Sequence, residues 1–226
     1  MAALTAYHLG LMDYQQAFDL QDRLIQERIA GDIGTDILLL LEHPPTLTMG
    51  KRDDPKHLLV SESEISARGV AIVSTDRGGS ITWHGPGQLV AYSIVDLKQR
   101  QMDVHKYIRN LETVIIRTLA DFSIRSARDE NHVGVWVEQD KIAAIGVRIR
   151  KWVTKHGFAI NVNSDLTPFS LINPCGITDR GVTSIAAILG HDVSMEDVRK
   201  GVVKHFSDVF DMPVEIGSAD QISTAK

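Results

Sequence analysis

Between Tyr14 and Ala30, Ala17, Leu20 and Leu24 recur at helical spacing, with Phe18, Ile25 and Ile29 beside them and Asp, Gln, Glu and Arg between. That period predicts an amphipathic helix with one face committed to a core. The pattern then changes. Ile37 to Leu41 is an unbroken apolar run of strand length, closed off by Gly34 and Pro44-Pro45, and predicts a buried strand. Residues 50–65 are charged and mixed, which predicts a surface loop with some helix over Ser61 to Arg68. Short strands are expected at Val70 to Ser74 and Leu89 to Val95. Asp103 then caps a long helix carrying Val104, Tyr107, Ile108, Leu111, Ile115 and Leu119 on its core face.

The next stretch is rich in strands. Val133 to Glu138 and Ile142 to Ile149 are separated by Gln139-Asp140-Lys141, which predicts a tight hairpin. Ile145, Val147 and Ile149 alternate with Gly146, Arg148 and Arg150, the period of a strand with one wet face. Gly157 to Asn163 alternates in the same way. Ser194-Met195-Glu196-Asp197 reads as a helix start, with Val198, Val202, Phe206 and Val209 facing inward. No repeat or interdomain linker interrupts this order. The chain is therefore expected to be one mixed α/β domain over 1–216 with mainly antiparallel strands. The small, polar residues 217–226 are expected to form a disordered tail.

Composition narrows the class. The chain has 226 residues and a net charge of -5, which argues against broad nucleic-acid or anionic-membrane binding. Its apolar runs are far too short to span a bilayer, and Met1 to Leu11 lacks the features of a signal peptide. A single cysteine excludes an internal disulfide and fits a reducing, cytoplasmic setting. Nine histidines invite a metal, but no H-E-x-x-H, paired C-x-x-C or compact cluster occurs, so neither metal nor cofactor is expected.

Three stretches remain as candidate chemistry. Cys175 lies between Pro174 and Gly176, on a turn rather than within a regular element. Taken alone it is either a small buried hydrophobe or a nucleophile, and reactivity requires access and a lowered pKa. Arg77 to Gly87 holds four glycines, a proline and His84. It is either a loop that lets backbone N–H groups approach a ligand or a hairpin turn with a bulge. Thr82 and His84 share a strand face by spacing, and His84 is a candidate to bond a substrate carbonyl or shuttle a proton. Lys141 at the hairpin is a solvated turn residue unless a partner gives it work, such as holding a nearby thiol as thiolate.

Together these stretches resemble the lipoyl(octanoyl) transferase family. The resemblance rests on Arg77-Gly-Gly-x-x-Thr82-x-His84-Gly-Pro-Gly-Gln88 and on Lys141-Ile-Ala-Ala-Ile-Gly146-Val-Arg148-Ile. The third motif runs His156-Gly-Phe-Ala-Ile-Asn161-Val-Asn163, through Asp165-Leu166 and Phe169, to Pro174-Cys175-Gly176. The likeness extends from about Leu11 to Val209 and implies a lipoate/biotin protein ligase-like fold, a mixed sheet flanked by helices. It implies Cys175 as nucleophile and Lys141 as the residue that lowers its pKa. It implies substrate contacts from Arg77, Gly78, Gly79, Ser80, Ile81, Thr82, Trp83 and His84, from Ala144, Ile145 and Gly146, and from Gly157, Phe158 and Ala159. The implied reaction carries octanoyl, or lipoyl, from octanoyl-acyl-carrier protein to a lysine of a lipoyl domain. The implied acceptors are the 2-oxoacid dehydrogenase complexes and the glycine cleavage H protein, with the enzyme acting as a monomer. An amidotransferase or an ATP-dependent lipoate ligase on the same scaffold is the alternative, with a non-catalytic carrier-binding protein behind both. Asp140 departs from the family pattern and is placed to pair with Lys141. Arg148, Arg150, Lys151 and Lys155, flanked by Trp152 and His156, form the densest basic cluster, expected to dock an acidic protein substrate.

Overall fold

The computed structural model describes residues 3–52, 54–100, 102–173 and 180–223. Cys175 and its neighbours Pro174 and Gly176 lie outside the described residues. In chain order the elements are β1 Leu4–Leu11, α1 Tyr14–Ala30, β2 Asp36–Glu42, β3 Thr46–Met49, α2 Glu62–Ala67, β4 Ala71–Ser74, β5 Ile81–His84 and β6 Gln88–Ile94. They continue with α3 Val104–Ala120, β7 Ala127–Arg128, β8 Val135–Val137, β9 Asp140–Arg150, β10 Val153–Asn161, α4 Ile185–Leu189, α5 Met195–Phe210, β11 Val214–Gly217 and α6 Ala219–Ser223.

Eight strands form one sheet in the order β11-β1-β2-β6-β10-β9-β8-β7, and β4-β3-β5 form a second, smaller sheet. Pairing is antiparallel from β2 through to β7, while β1 pairs in parallel with both β2 and β11. The central strands are buried on both faces, which is why β2 reads as Ile-Leu-Leu-Leu-Leu rather than as an alternating strand. Leu38 and Leu40 point to a core roofed by α3 and α5, with Tyr107, Leu111, Ile115, Val198, Val202 and Phe206. Leu39 and Leu41 point the other way, to Ala17, Leu24 and Ile25 of α1. Fully burying one such side chain contributes about 1.5–3 kcal/mol, so this double facing secures the strand at the centre of the sheet.

The helices start where the pattern places them. The Asp13 carboxylate accepts from the backbone N–H groups of Gln15 and Gln16, Asp103 from Lys106, and Ser194 from Asp197. Other boundaries move. The strand expected over Val133 to Glu138 contracts to Val135–Val137, and the one expected over Gly157 to Asn163 becomes Val153–Asn161. The pattern gives no warning of β1, β3 or β11. The polar C-terminal stretch is not structureless over Ala219–Ser223: Ile222 is buried against α1 and its carbonyl accepts from Arg23. One apolar residue at the right position turns that segment into a short helix docked on the domain.

Candidate active site

The functional cleft lies on the α1 side of the large sheet, roofed by the small sheet. On that face β6 presents Gln88, Val90 and Tyr92, opposite Asn161, Ala159 and Gly157 of β10. Those pair in turn with β9, where Gly157 faces Gly146 and Ala159 faces Ala144. Four residues with little or no side chain therefore meet at the middle of a buried face and leave a trough. A side chain at Gly146 has no room, because its Cβ would come within 3.0 Å of both Arg77 Cδ and the Gly78 carbonyl oxygen. The glycine-rich segment lies directly over the trough, pinned by Gly78 N–H donating to Val147 O at 3.0 Å. The resulting cleft holds about 850 Å³ of space that runs into open solvent, and its accessible lining is mainly apolar. Lys141 and Gly146 are both in its lining, five residues apart on β9 and thus roughly 17 Å along the strand.

Lys141 is held at one end of this trough. Its backbone N–H donates to Gly181 O and its carbonyl accepts from Thr183 N–H, both at 3.0 Å. Its ammonium sits 4.7 Å from the centre of the Trp136 ring, which the Arg180 guanidinium also covers at 4.9 Å. Asp140 does not behave as expected. Its carboxylate accepts from Gly181 N–H at 3.1 Å, so it braces the segment 180–183 beside Lys141. Phe169 and Val182, which among the described cleft-lining residues lie closest in sequence to Cys175 on either side, border the same space.

A hydrogen-bonded chain ties the roof to this end. Gln88 Nε2 donates to Trp83 O at 3.1 Å and to Asn161 Oδ1 at 2.9 Å. That fixes the amide so that Gln88 Oε1 accepts from His84 Nδ1 at 2.7 Å. Asn161 Nδ2 donates to Thr183 O at 3.0 Å, which completes the link to Lys141. With its proton on Nδ1, neutral His84 has a lone pair on Nε2. Burial, followed by the neighbouring His43, holds its pKa well below the usual histidine value. Neutral His84 is thus able to accept a hydrogen bond at Nε2. The expectation that it donates to a substrate carbonyl does not fit a neutral ring so oriented.

Under the other end lies a buried charge cluster around Asp76, the residue that leads into the glycine-rich segment. His156 Nε2 donates to Asp76 Oδ1 at 2.6 Å, Arg148 donates to Asp76 Oδ2, and the Lys155 ammonium lies 3.6 Å from the same oxygen. Burial pushes the Asp76 carboxyl up, but the hydrogen bond from His156 and the charges of Lys155 and Arg148 outweigh it and hold it low. Burial also holds the His156 pKa below the usual histidine value and keeps the ring neutral. Lys155 also meets Asp22 at 2.5 Å and lies 3.3 Å from the Phe18 ring centre.

Comparison with known proteins shows the family. A family model described as the lipoyl protein ligase A/B catalytic domain matches residues 13–207. The chain belongs to this family. The octanoyltransferase of Chloroflexus aggregans is 48% identical over 215 residues, covering 94% of this chain and 97% of that one. The octanoyltransferase of a Roseiflexus species is 48% identical over 225 residues, with coverage of 98% and 93%. Within the family the chain is therefore an octanoyltransferase-type enzyme, an acyltransferase of protein lipoylation. More distant structures share the fold: a Thermoplasma acidophilum bipartite lipoate protein ligase at TM-score 0.75 and 17% identity, covering 99% of this chain and 91% of that one. The Aquifex aeolicus biotin protein ligase follows at TM-score 0.59 and 15% identity, with coverage of 93% and 71%. No helix among the described residues is long and apolar enough to cross a membrane.

Of the residues singled out from the sequence, Arg77, Gly78, Gly79, Ile81, Thr82, His84, Lys141, Ala144, Gly146, Gly157 and Ala159 converge on the cleft. Ile145 and Phe158 also border it, but as a cross-strand pair whose side chains join the core on the α3 face. The Arg77 head group bonds Thr48 O at 2.6 Å and Thr48 Oγ1 at 2.8 Å, so it also tethers the roof to β3. Ser80 and Trp83 do not line the cleft. Ser80 Oγ meets His57 Nδ1 at 2.7 Å and Trp83 packs in the core of the small sheet. The expected basic docking cluster also breaks up: Lys155 and His156 are buried in the Asp76 cluster, while Arg150 and Lys151 stay exposed. The sequence reading did not assign Tyr14, Tyr92 and Asn161 to the site, although Asn161, a lone amide in an apolar strand, was the visible signal.

Proposed function

We propose that the enzyme moves octanoyl from an acyl-carrier-protein thioester to a lysine of a lipoyl domain through an acyl-enzyme on Cys175. The supporting observation is an apolar trough of Gly146, Gly157, Ala144 and Ala159 that leads to Lys141, with Val182 beside it. Such a groove takes an unbranched acyl chain and leaves its carbonyl near a cation. The Lys141 ammonium holds the Cys175 thiol as thiolate, which attacks the carrier thioester carbon. The phosphopantetheine thiolate leaves and takes a proton from Lys141. Neutral Lys141 then accepts a proton from the incoming lysine amine as it attacks the octanoyl thioester. The intermediate collapses to the amide and expels Cys175 as thiolate. Thioester exchange is nearly isoenergetic and amide formation is downhill, so no nucleotide is required. Acceptors of this chemistry are the lipoyl domains of 2-oxoacid dehydrogenase complexes and the glycine cleavage H protein.

The test is intact-protein mass spectrometry after mixing the enzyme with octanoyl-acyl-carrier protein in the absence of ATP. One octanoyl adduct, mapped to Cys175 and discharged by a lipoyl domain, is expected. Full transfer by Cys175→Ser, or transfer only with ATP, would overturn the reading.

A further inference from the structure

The end of the trough away from Lys141 carries a feature that an unsubstituted octanoyl chain does not use. His156 lies inside β10 with φ of 62°, a left-handed conformation that costs a non-glycine residue free energy. Strict alternation would send its side chain to the face opposite Gly157 and Ala159. The left-handed backbone instead brings the ring to the α1 face, 5.9 Å from the Phe18 ring and 6.0 Å from Tyr92, where it forms part of the cleft wall.

The hydrogen bonds of this ring set its tautomer. Asp76 is ionised among Lys155 and Arg148, so it accepts, and His156 Nε2 carries the proton. Nδ1 of the neutral ring is then an acceptor, and it has no partner although the residue is only 1% exposed. Buried polar atoms are paired in the great majority of cases. The neighbouring His43 shows the ordinary situation, with Nδ1 on Met12 O at 2.8 Å and Nε2 on the Tyr92 hydroxyl at 2.7 Å.

We propose that the far end of the trough accepts a neutral hydrogen-bond donor, a hydroxyl or a thiol, carried by an acyl chain long enough to reach it, with His156 Nδ1 as the acceptor. This rests on the reading of the trough as the acyl site. Nδ1 offers a lone pair with the Asp76 carboxylate behind the ring, so a chain ending in a carboxylate is disfavoured and a neutral donor is welcome. His156 is a specificity-determining residue in this scheme, remote from the bond that is made and broken.

The experiment compares octanoate with ω-hydroxyoctanoate by calorimetry and follows the His156 ring by nitrogen NMR. The hydroxy acid is expected to bind the native enzyme at least as tightly as octanoate and to shift the Nδ1 resonance away from its lone-pair position, while octanoate shifts it little. In His156→Phe the hydroxy acid should lose about tenfold more affinity than octanoate does. The native comparison and the Nδ1 shift decide the matter if that variant does not fold. Octanoate that binds while Nδ1 ignores the hydroxy acid would overturn the inference alone. Octanoate that fails to bind the cleft would overturn the acyl-site reading, and this inference with it.

Discussion

Asn161→Leu removes one side chain that joins three parts of the site at nearly constant volume. Asn161 accepts from Gln88 and donates to Thr183 O, and Thr183 N–H in turn holds Lys141 O. Leucine makes neither bond, so one Gln88 N–H and the Thr183 carbonyl lose a partner in a site that is 5% exposed at Asn161. Each buried group left unsatisfied costs about 1–3 kcal/mol, offset in part by the added apolar surface, so a net loss of about 3 kcal/mol follows. For a chain of 226 residues, each kcal/mol lowers Tm by about 2–4 °C, so a drop of roughly 6–12 °C is expected. Catalysis should fall further than stability, because the segment beside Lys141 loosens and a displacement of about 1 Å costs on the order of 100-fold. Differential scanning calorimetry gives the first quantity, and single-turnover octanoyl transfer at a temperature where the variant is folded gives the second. A melting point within about 2 °C of the native enzyme, together with an unchanged transfer rate, would refute the linkage from His84 to Lys141.

Three further outcomes follow from the same geometry. Lys141→Ala should slow alkylation of Cys175 at neutral pH, returning its thiol toward an ordinary pKa of about 8.5, and an unaltered alkylation pH profile would exclude Lys141 from that role. Asp76 has a folded pKa below its unfolded value, so its contribution to stability is complete above about pH 4 and is lost as pH falls through the lower folded value. Denaturant titrations at a series of acidic pH values should show Asp76→Asn with a shallower acid loss than the native enzyme and with stability reduced by about 1–2 kcal/mol at pH 7, less than for a fully buried pair because Asp76 and Arg148 keep contact with solvent. Ala144→Leu fills the trough opposite Ala159, and should reduce transfer of octanoyl by at least about 10-fold while sparing acetyl or butyryl, measured as kcat/KM over a chain-length series.

Local order was legible wherever one segment carries its own reason to fold. The α1 period, the Asp103 and Ser194 caps and the apolar run of β2 each follow from contacts within a few residues, and each is found. The site was legible mainly as motifs. Gly146 and Gly157 stood 11 residues apart as separate signals, and only antiparallel pairing makes them opposite neighbours. The Arg148 to His156 segment looked like one basic surface because sequence lists charges without their faces. A left-handed residue and a carboxylate 72 residues from Arg148 turned half of it inward.

By itself, the sequence determined the class of the fold, the order of most elements, the family and the residue types available for acyl transfer. Those depend on local propensity, on hydrophobic period and on motifs whose spacing is preserved along the chain. The tertiary structure alone decided that four small residues on two strands make a groove, that Asn161 connects Gln88 to the segment beside Lys141, and that His156 turns an unpaired nitrogen into a buried wall. Each of these is a relation between residues far apart in the chain. Register, strand order and one backbone angle set them, and no pattern confined to a single segment encodes those quantities.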